Sequence, residues 1–268
     1  MRCSICPHEC DLNEGQTGFC KARMCKNSEI ICANYGLITS VAVDPIEKKP
    51  LYKFHAGRPI LSVGSYGCNM SCSFCQNSGI SQKIIFAEYV SPQDLTAIAS
   101  SVPDNIGVAF TYNEPLISYE YLMDTAPLLQ SAGLKTVLVT NGLINSEPLQ
   151  KLLPYIDAVN IDLKAFTDGF YKKHGGNLKT VKKSIELSAK HCHVEVTTLI
   201  IPGENDSADE MREMSVWLAS VSRDLPYHIS RFFPRYNMTE KLPTSKERLF
   251  ELADTARENL NFVYVGNV

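Results

Sequence analysis

Cys68-Asn69-Met70-Ser71-Cys72-Ser73-Phe74-Cys75 decides how this chain folds and what it holds. Its three cysteines follow the spacing C-x3-C-x2-C. Directly ahead runs Ile60-Leu61-Ser62-Val63-Gly64-Ser65-Tyr66, which has the apolar character of a buried strand, and Gly67 turns the chain into the loop. Soft thiolates suit zinc or an iron–sulfur cluster, and a closed structural site wants four of them. Three thiolates on a cubane leave one iron open to a ligand that is not protein.

Downstream of this loop, apolar strands alternate with helical segments. Ser91-Pro92-Gln93-Asp94 has Ser at an N-cap and Pro at the first helical position. The second strand, 106–110, ends in Thr111-Tyr112-Asn113-Glu114-Pro115, and a helix over about 117–132 is closed by Gly133. The third strand, 136–139, ends in Thr140-Asn141-Gly142. The fourth, 158–161, ends in Asp162-Leu163-Lys164. A lysine-rich helix over about 178–190 precedes the fifth strand, His193 to Ile201. Ser207-Ala208-Asp209-Glu210 is a capping box ahead of a helical stripe of Met211, Met214, Leu218 and Val221. The sixth strand covers about 227–232, Thr244-Ser245-Lys246-Glu247 opens a last helix, and 262–265 forms a final strand.

This alternation implies βαβ units around a parallel sheet. The expected fold is α/β, a partial (β/α)6-type TIM-like barrel over residues 51–268, with a small cysteine-rich metal-binding head and hairpin over residues 1–50. In such folds the chemistry sits at the C-terminal ends of the strands. A polar residue at a strand end is usually a turn former or a cap. Five polar tips around one rim, one of them an open cysteine loop, are more than turn chemistry requires.

Upstream, Cys3, Cys6, Cys10 and Cys20 follow C-x2-C-x3-C-x9-C, with Gly15 and Gly18 in the return loop. Four thiolates can close a tetrahedral zinc site or saturate a cubane cluster. Cys25 and Cys32 have no partner at ligand spacing and read as spare thiols. Residues 34–46 alternate apolar and polar and predict a small hairpin joining head to barrel.

The 268 residues are 44% apolar and 21% charged, with a net charge of −3. No overall positive field favours nucleic acid or an anionic membrane. The first residues carry no apolar run of a secretory signal, and no stretch is long enough to span a bilayer. Ten cysteines in such a chain argue for metal in a reducing, cytoplasmic compartment rather than for a disulfide framework.

Cys68, Cys72, Phe74 and Cys75 resemble the radical S-adenosylmethionine (SAM) motif, whose aromatic stands just before its last cysteine. The rest of the chain resembles the pyruvate formate-lyase-activating branch of that superfamily, and within it the radical SAM member of the AmmeMemoRadiSam group. That closer resemblance rests on Cys3-Ser4-Ile5-Cys6-Pro7-His8-Glu9-Cys10, Asp44-Pro45-Ile46-Glu47-Lys48-Lys49-Pro50-Leu51-Tyr52, Thr111-Tyr112-Asn113-Glu114-Pro115 and Ser230-Arg231-Phe232-Phe233-Pro234.

The resemblance implies that Cys68, Cys72 and Cys75 hold three irons of a 4Fe–4S cluster, and that the fourth iron chelates the amino and carboxylate groups of SAM. An electron then cleaves a sulfonium bond, giving methionine and a 5′-deoxyadenosyl radical that takes hydrogen from a substrate. It further implies that Asn113 and Glu114 fill the place of a Gly-Gly-Glu motif, with Glu114 accepting from the methionyl ammonium. Thr140 and Asn141 match a ribose contact. Lys164, beside Asp162, is placed to pair with the methionyl carboxylate. Thr197 and Leu199 match adenine-lining positions, and Phe74 and Gln76 can reach adenine through the backbone.

The implied partners are an electron donor such as flavodoxin or ferredoxin and a substrate, small molecule or protein, that the sequence does not name. A glycyl-radical activase would need a protein partner. A non-enzymatic electron carrier or metal-stapled scaffold would not need the polar rim.

The chain also departs from the activases. It has no cysteine between Cys75 and Cys192, its extra quartet precedes the barrel, and Arg235-Tyr236 follows Pro234 where activases tend to place a histidine. No cysteine-rich tail follows Val265, so no C-terminal auxiliary-cluster domain is expected. His191-Cys192-His193 splits its side chains between two strand faces and reads as structural. Lys172, Lys173, Lys179, Lys182 and Lys183 read as a solvated face. His228 and Arg231, on the sixth strand, are candidates to meet a substrate, Arg231 as an anion contact.

Overall fold

The computed structural model describes all 268 residues. Two short strands of the head, β1 (Arg23–Lys26) and β2 (Glu29–Cys32), form an antiparallel hairpin. Then come β3 (Leu37–Ile38), β4 (Ser40–Pro45), β5 (Pro59–Gly64), β6 (Glu88–Tyr89), β7 (Gly107–Phe110) and β8 (Lys135–Thr140). The series ends with β9 (Ala158–Asp162), β10 (His193–Ile200), β11 (Tyr227–Arg231) and β12 (Val263–Gly266). An eight-stranded sheet runs β4-β5-β7-β8-β9-β10-β11-β12. All its neighbours are parallel except β4, which pairs antiparallel with β5. Its two edges, β4 and β12, do not pair, so the barrel is partial.

The expected hairpin over 34–46 does not form. β4 pairs with β5 instead, from Ser40 opposite Gly64 to Pro45 opposite Pro59, while β3 pairs with β6. An alternating segment seeks any edge of matching length, and the first barrel strand offers a longer one than the short β3 does.

Helices follow the strands with the caps read from sequence. Ser91 Oγ accepts from Asp94 N, Ser207 Oγ from Glu210 N and Ser245 Oγ from Arg248 N, each at 3.1 Å. The capping box at Ser207 is only half closed. The Glu210 carboxylate turns away to accept from Phe166 N at 2.6 Å, tying the helix to the loop after β9.

The helix-facing sides of the strands feed one large apolar core. A second, smaller cluster closes the barrel floor, where Ile60, Ala109, Val137 and Ala158 meet Ile46 and Leu51 from the segment between β4 and β5. That segment is fixed by polar contacts as well. Asn160 Nδ2 donates to Pro50 O at 2.8 Å, and Lys53 N donates to the buried Glu195 at 2.7 Å. With the floor filled, open space remains only toward the C-terminal ends of the strands.

Candidate active site

The strand ends surround a cavity of about 290 Å³, close to the ~300 Å³ lower bound of small-molecule sites. Cys68, Cys72 and Cys75 line it together with Phe74 and Gln76 of the same loop. The end of β7 adds Asn113 and Glu114, the end of β8 adds Thr140 and Asn141, and the end of β9 adds Asp162 and Lys164. Thr197 and Leu199, on one face of β10, complete the predicted set. Parallel strands starting from a common floor bring these distant positions to one rim.

Polar contacts show that much of this rim holds the cysteine loop rather than waiting free. Asn113 Oδ1 accepts from Ser65 N at 2.9 Å, and its Nδ2 donates to Tyr66 O and Gly67 O. Asn141 Nδ2 donates to Asn69 Oδ1 at 2.9 Å and to Cys68 Sγ at 3.6 Å. Thr140 Oγ1 donates to Glu114 Oε1 at 2.6 Å and accepts from Gly142 N. Glu114 also accepts from Asn141 N and Leu116 N. Thr197 directs its hydroxyl to Asn160 Oδ1 at 3.0 Å.

Electrostatics point the same way. Burial pushes Glu114 up to about 7, against the pull of the donors from Asn141, Thr140 and Leu116. Burial raises Cys68 well above an ordinary thiol, helped by Glu114 and Cys72, and raises Cys72 to about 11. Buried thiols of this kind ionise only when a cation offsets the desolvation cost, and a coordinating metal deprotonates a thiol outright. Lys164 feels burial as well, but Asp162 at 2.8 Å and the Cys72 thiol outweigh it and hold the ammonium above its usual range. Three soft thiols and one fixed cation therefore share a cavity with a polar rim. This donor set fits a cluster with an open iron and a ligand bearing a carboxylate.

The two sixth-strand candidates are not part of that cavity. Ser230 takes the lining position on β11. The neighbouring Arg231 belongs to the opposite face, where its Nε donates to Thr244 O at 2.7 Å and its guanidinium lies 4.9 Å from the Phe233 ring centroid. His228 shares the inner face but lies deeper, donating to Glu195 at 2.5 Å between the rings of Tyr52 and Tyr264. Both side chains are committed to the fold. His191, Cys192 and His193 also separate: His191 bonds Leu187 O, Cys192 bonds Ser188 O, and His193 bonds Glu195. In the basic run, Lys173 pairs with Glu204 and Lys182 lies over Phe166 and Trp217.

Sequence reasoning did not single out Asn69, Ser81, Gln82, Ser230 or Asn267. Ser81 Oγ lies 3.2 Å from Cys75 Sγ, and Gln82 Nε2 donates to Met70 O at 2.9 Å. Asn69 is 1% exposed and bonds Leu143 O as well as Asn141. Its position inside the cysteine loop was the available signal. Nothing in the local sequence marks Asn267, which reaches the cavity through Ser230.

In the head, Cys3, Cys6, Cys10 and Cys20 line a second, small cavity with Ile5, Phe19, Ile117 and Arg23. Cys25 and Cys32 do not line it. The head sits on the cysteine loop. Cys68 N donates to Cys20 O at 3.2 Å, and His8 Nε2 hydrogen-bonds Asn69 O at 2.9 Å. No helix is long and apolar enough to cross a membrane.

Comparison with known proteins places this geometry. The chain is 39% identical, over its full length and 81% of the relative's, to an uncharacterized protein of Methanocaldococcus jannaschii. It is 26% identical to the pyruvate formate-lyase 1-activating enzyme of Escherichia coli, covering 60% of this chain and 71% of that one. Among solved structures, a radical SAM methyltransferase from Sphaerobacter thermophilus shares the fold at a TM-score of 0.59 and 15% identity, over 79% of this chain and 67% of that one. Residues 62–215, from the first barrel strand through the helix after β10, match the radical SAM superfamily. The chain with its cysteine loop on a polar barrel rim therefore belongs to the radical SAM superfamily and is an enzyme of that iron–sulfur, SAM-binding class.

Proposed function

We propose that Cys68, Cys72 and Cys75 hold a 4Fe–4S cluster whose open iron takes SAM within the 290 Å³ cavity, and that the enzyme abstracts hydrogen from a substrate admitted to that cavity. One observation carries the reading: the three thiols and the Lys164 ammonium line the same space. When bound, cluster and SAM supply a 5′-deoxyadenosyl radical. The chain's own residues orient and shield. Asn141 and the Met70 amide donate toward Cys68 Sγ and favour its anionic form. Lys164 offers a charge to the SAM carboxylate, and Glu114 keeps acceptor capacity for the ammonium. Thr197 and Leu199 form a wall for the adenine, since the Thr197 hydroxyl is already satisfied.

Anaerobic reconstitution followed by chemical reduction with SAM tests this. The expected products are methionine and 5′-deoxyadenosine, lost in Cys72→Ala. A reduced, iron-loaded wild type that leaves SAM intact sinks the reading.

A second reading makes the substrate a protein carrying a glycyl-radical site. The activating-enzyme relative supports it, and so does exposed apolar surface beside the site. Ile84 and Phe86 follow the lining residue Gln82 and are 61% and 93% exposed. Leu242 and Tyr236 are exposed on the loop whose Asn237 N donates to Ser73 O in the cysteine loop. Such apolar surface fits a docking partner. A persistent glycyl-radical EPR signal on a co-purified partner supports this reading, and turnover of a small molecule with no such partner opposes it. The electron comes from a donor of flavodoxin or ferredoxin class. The quartet Cys3, Cys6, Cys10 and Cys20 is a second metal site, because four thiols converge on one cavity.

A further inference from the structure

We infer that the head quartet holds a redox-active 4Fe–4S cluster that passes single electrons to the Cys68 loop, with its potential set by Arg23. The inference rests on the quartet being a metal site and adds what that metal does.

Three observations converge. The first concerns spacing. Cys3, Cys6, Cys10 and Cys20 line one cavity, yet no three metal-binding side chains stand together at the spacing of a single ion, and the same holds for Cys68, Cys72 and Cys75. Zinc draws its thiolates onto one centre, whereas a cubane gives each thiolate its own iron. The head thus shares the spread of the loop that defines the family.

The second is Arg23, which is 5% exposed and lines the same cavity. Glu120 takes both terminal nitrogens of its guanidinium, one of them at 2.7 Å. Its Nε is buried with no partner. A buried donor facing four thiols calls for an anionic acceptor. An iron–sulfur cluster on four thiolates is such an acceptor, and each reduction adds to its negative charge. A fixed cation beside it favours the reduced form.

The third is the route between the sites. The Cys20 carbonyl accepts from Cys68 N, so one hydrogen bond joins the main chain of a head ligand to that of a loop ligand. Gly67 makes this approach feasible. Its φ is +89°, and a Cβ there would lie 2.4 Å from Cys20 O. His8 adds a parallel contact to Asn69 O.

The step is a simple transfer. A low-potential one-electron reductant of flavodoxin or ferredoxin class is oxidised, and the head cluster is reduced. The same electron then reduces the loop cluster and reoxidises the head. No bond forms or breaks, and no proton moves.

The test uses the anaerobically reconstituted full chain, with metal analysis, an EPR-monitored redox titration, and SAM added to mark the loop cluster. Wild type should hold about eight irons, four for each cubane. Arg23→Gln should make the head cluster at least tenfold harder to reduce, about 59 mV for a one-electron couple. Reduction of the loop cluster by reduced flavodoxin should slow at least tenfold. Glu120→Gln, at a half-exposed position that any folding defect of Arg23→Gln does not touch, should shift the head couple the opposite way.

One zinc and about four irons per chain would overturn the inference. So would shifts of equal sign in the two variants, or a flavodoxin-driven rate indifferent to the head potential. Wild-type SAM cleavage under a chemical reductant bears on the active-site reading alone, so either can fail without the other.

Discussion

Replacing Glu195 by Gln probes the layer beneath the cavity. Glu195 lies on β10 two residues before Thr197, on the same face, and its side chain is fully buried. It accepts from His193 at 2.9 Å, from His228 at 2.5 Å and from Lys53 N at 2.7 Å. Burial alone would raise its pKa from 4.5. The donors outweigh burial and hold it at about 2. The difference is worth about 3 kcal/mol of folding stability at neutral pH. Because the folded value is depressed, this stability is present above pH 4.5 and is lost as pH falls toward 2. At pH 3 roughly 1.4 kcal/mol remains. The contribution is of the size expected when one partner of a buried, hydrogen-bonded charge is removed, about 3–5 kcal/mol.

Urea unfolding of wild type and Glu195→Gln, followed through the single tryptophan, Trp217, measures it. The variant should be less stable by about 3 kcal/mol at pH 7, with the gap at least halved by pH 3. A gap that does not change with pH, or a variant as stable as wild type at pH 7, would refute the reasoning. The floor segment around Tyr52 and Lys53 would then be held by apolar contacts alone.

Other perturbations address the rim. Gly67→Ala combines a positive φ with a Cβ 2.4 Å from Cys20 O. It should cost at least ~1–2 kcal/mol from the backbone alone and lower the melting temperature while weakening iron retention at both cysteine sets. Lys164→Met removes the cavity's cation, and SAM affinity should fall about tenfold, or ~1.4 kcal/mol, by equilibrium binding to the reconstituted protein. Asn141→Ala strips donors from Asn69 Oδ1 and Cys68 Sγ. Iron–sulfur absorbance should then decay faster in air than in wild type.

The rim was legible in the sequence because topology does the gathering. Parallel strands rising from one floor bring their ends together whatever lies between, so Glu114, Asn141 and Lys164 could be grouped though far apart in the chain. What each side chain does at the rim was not legible. Thr140 and Asn113 read as ligand contacts, yet their polar atoms bind Glu114 and the backbone of the cysteine loop. Such pairings depend on distances that strand order does not fix. Arg231 failed for a sharper reason. In a strand a one-residue shift moves a side chain to the other face, and β11 places Ser230 inward. His228 has the inward parity, but its depth is set by Glu195, a residue of another strand. The partner of β4 was equally hidden, since an alternating segment specifies a face and not a neighbour.

The cysteine loop has little regular structure between β5 and the short helix Ser78–Ser81, so its main-chain groups must find partners elsewhere. They find them on widely separated elements. Tyr66 O accepts from Asn34 and Asn113, Gly67 O from Asn113, and Cys68 N donates to Cys20 O. Met70 O accepts from Gln82, Ser71 N donates to His174 O, and Ser73 O accepts from Asn237 N. The head, the β7 end, the segment after β9 and the loop after β11 thus each fix a different point of the loop. A ligand loop held this way has its shape set by the protein around it. The head therefore belongs to the wall of the site as much as to its own cavity. A change at Cys20 or His8 should be felt at Cys68 and Asn69 even with the head's thiols intact, because the contacts that join them are main-chain ones.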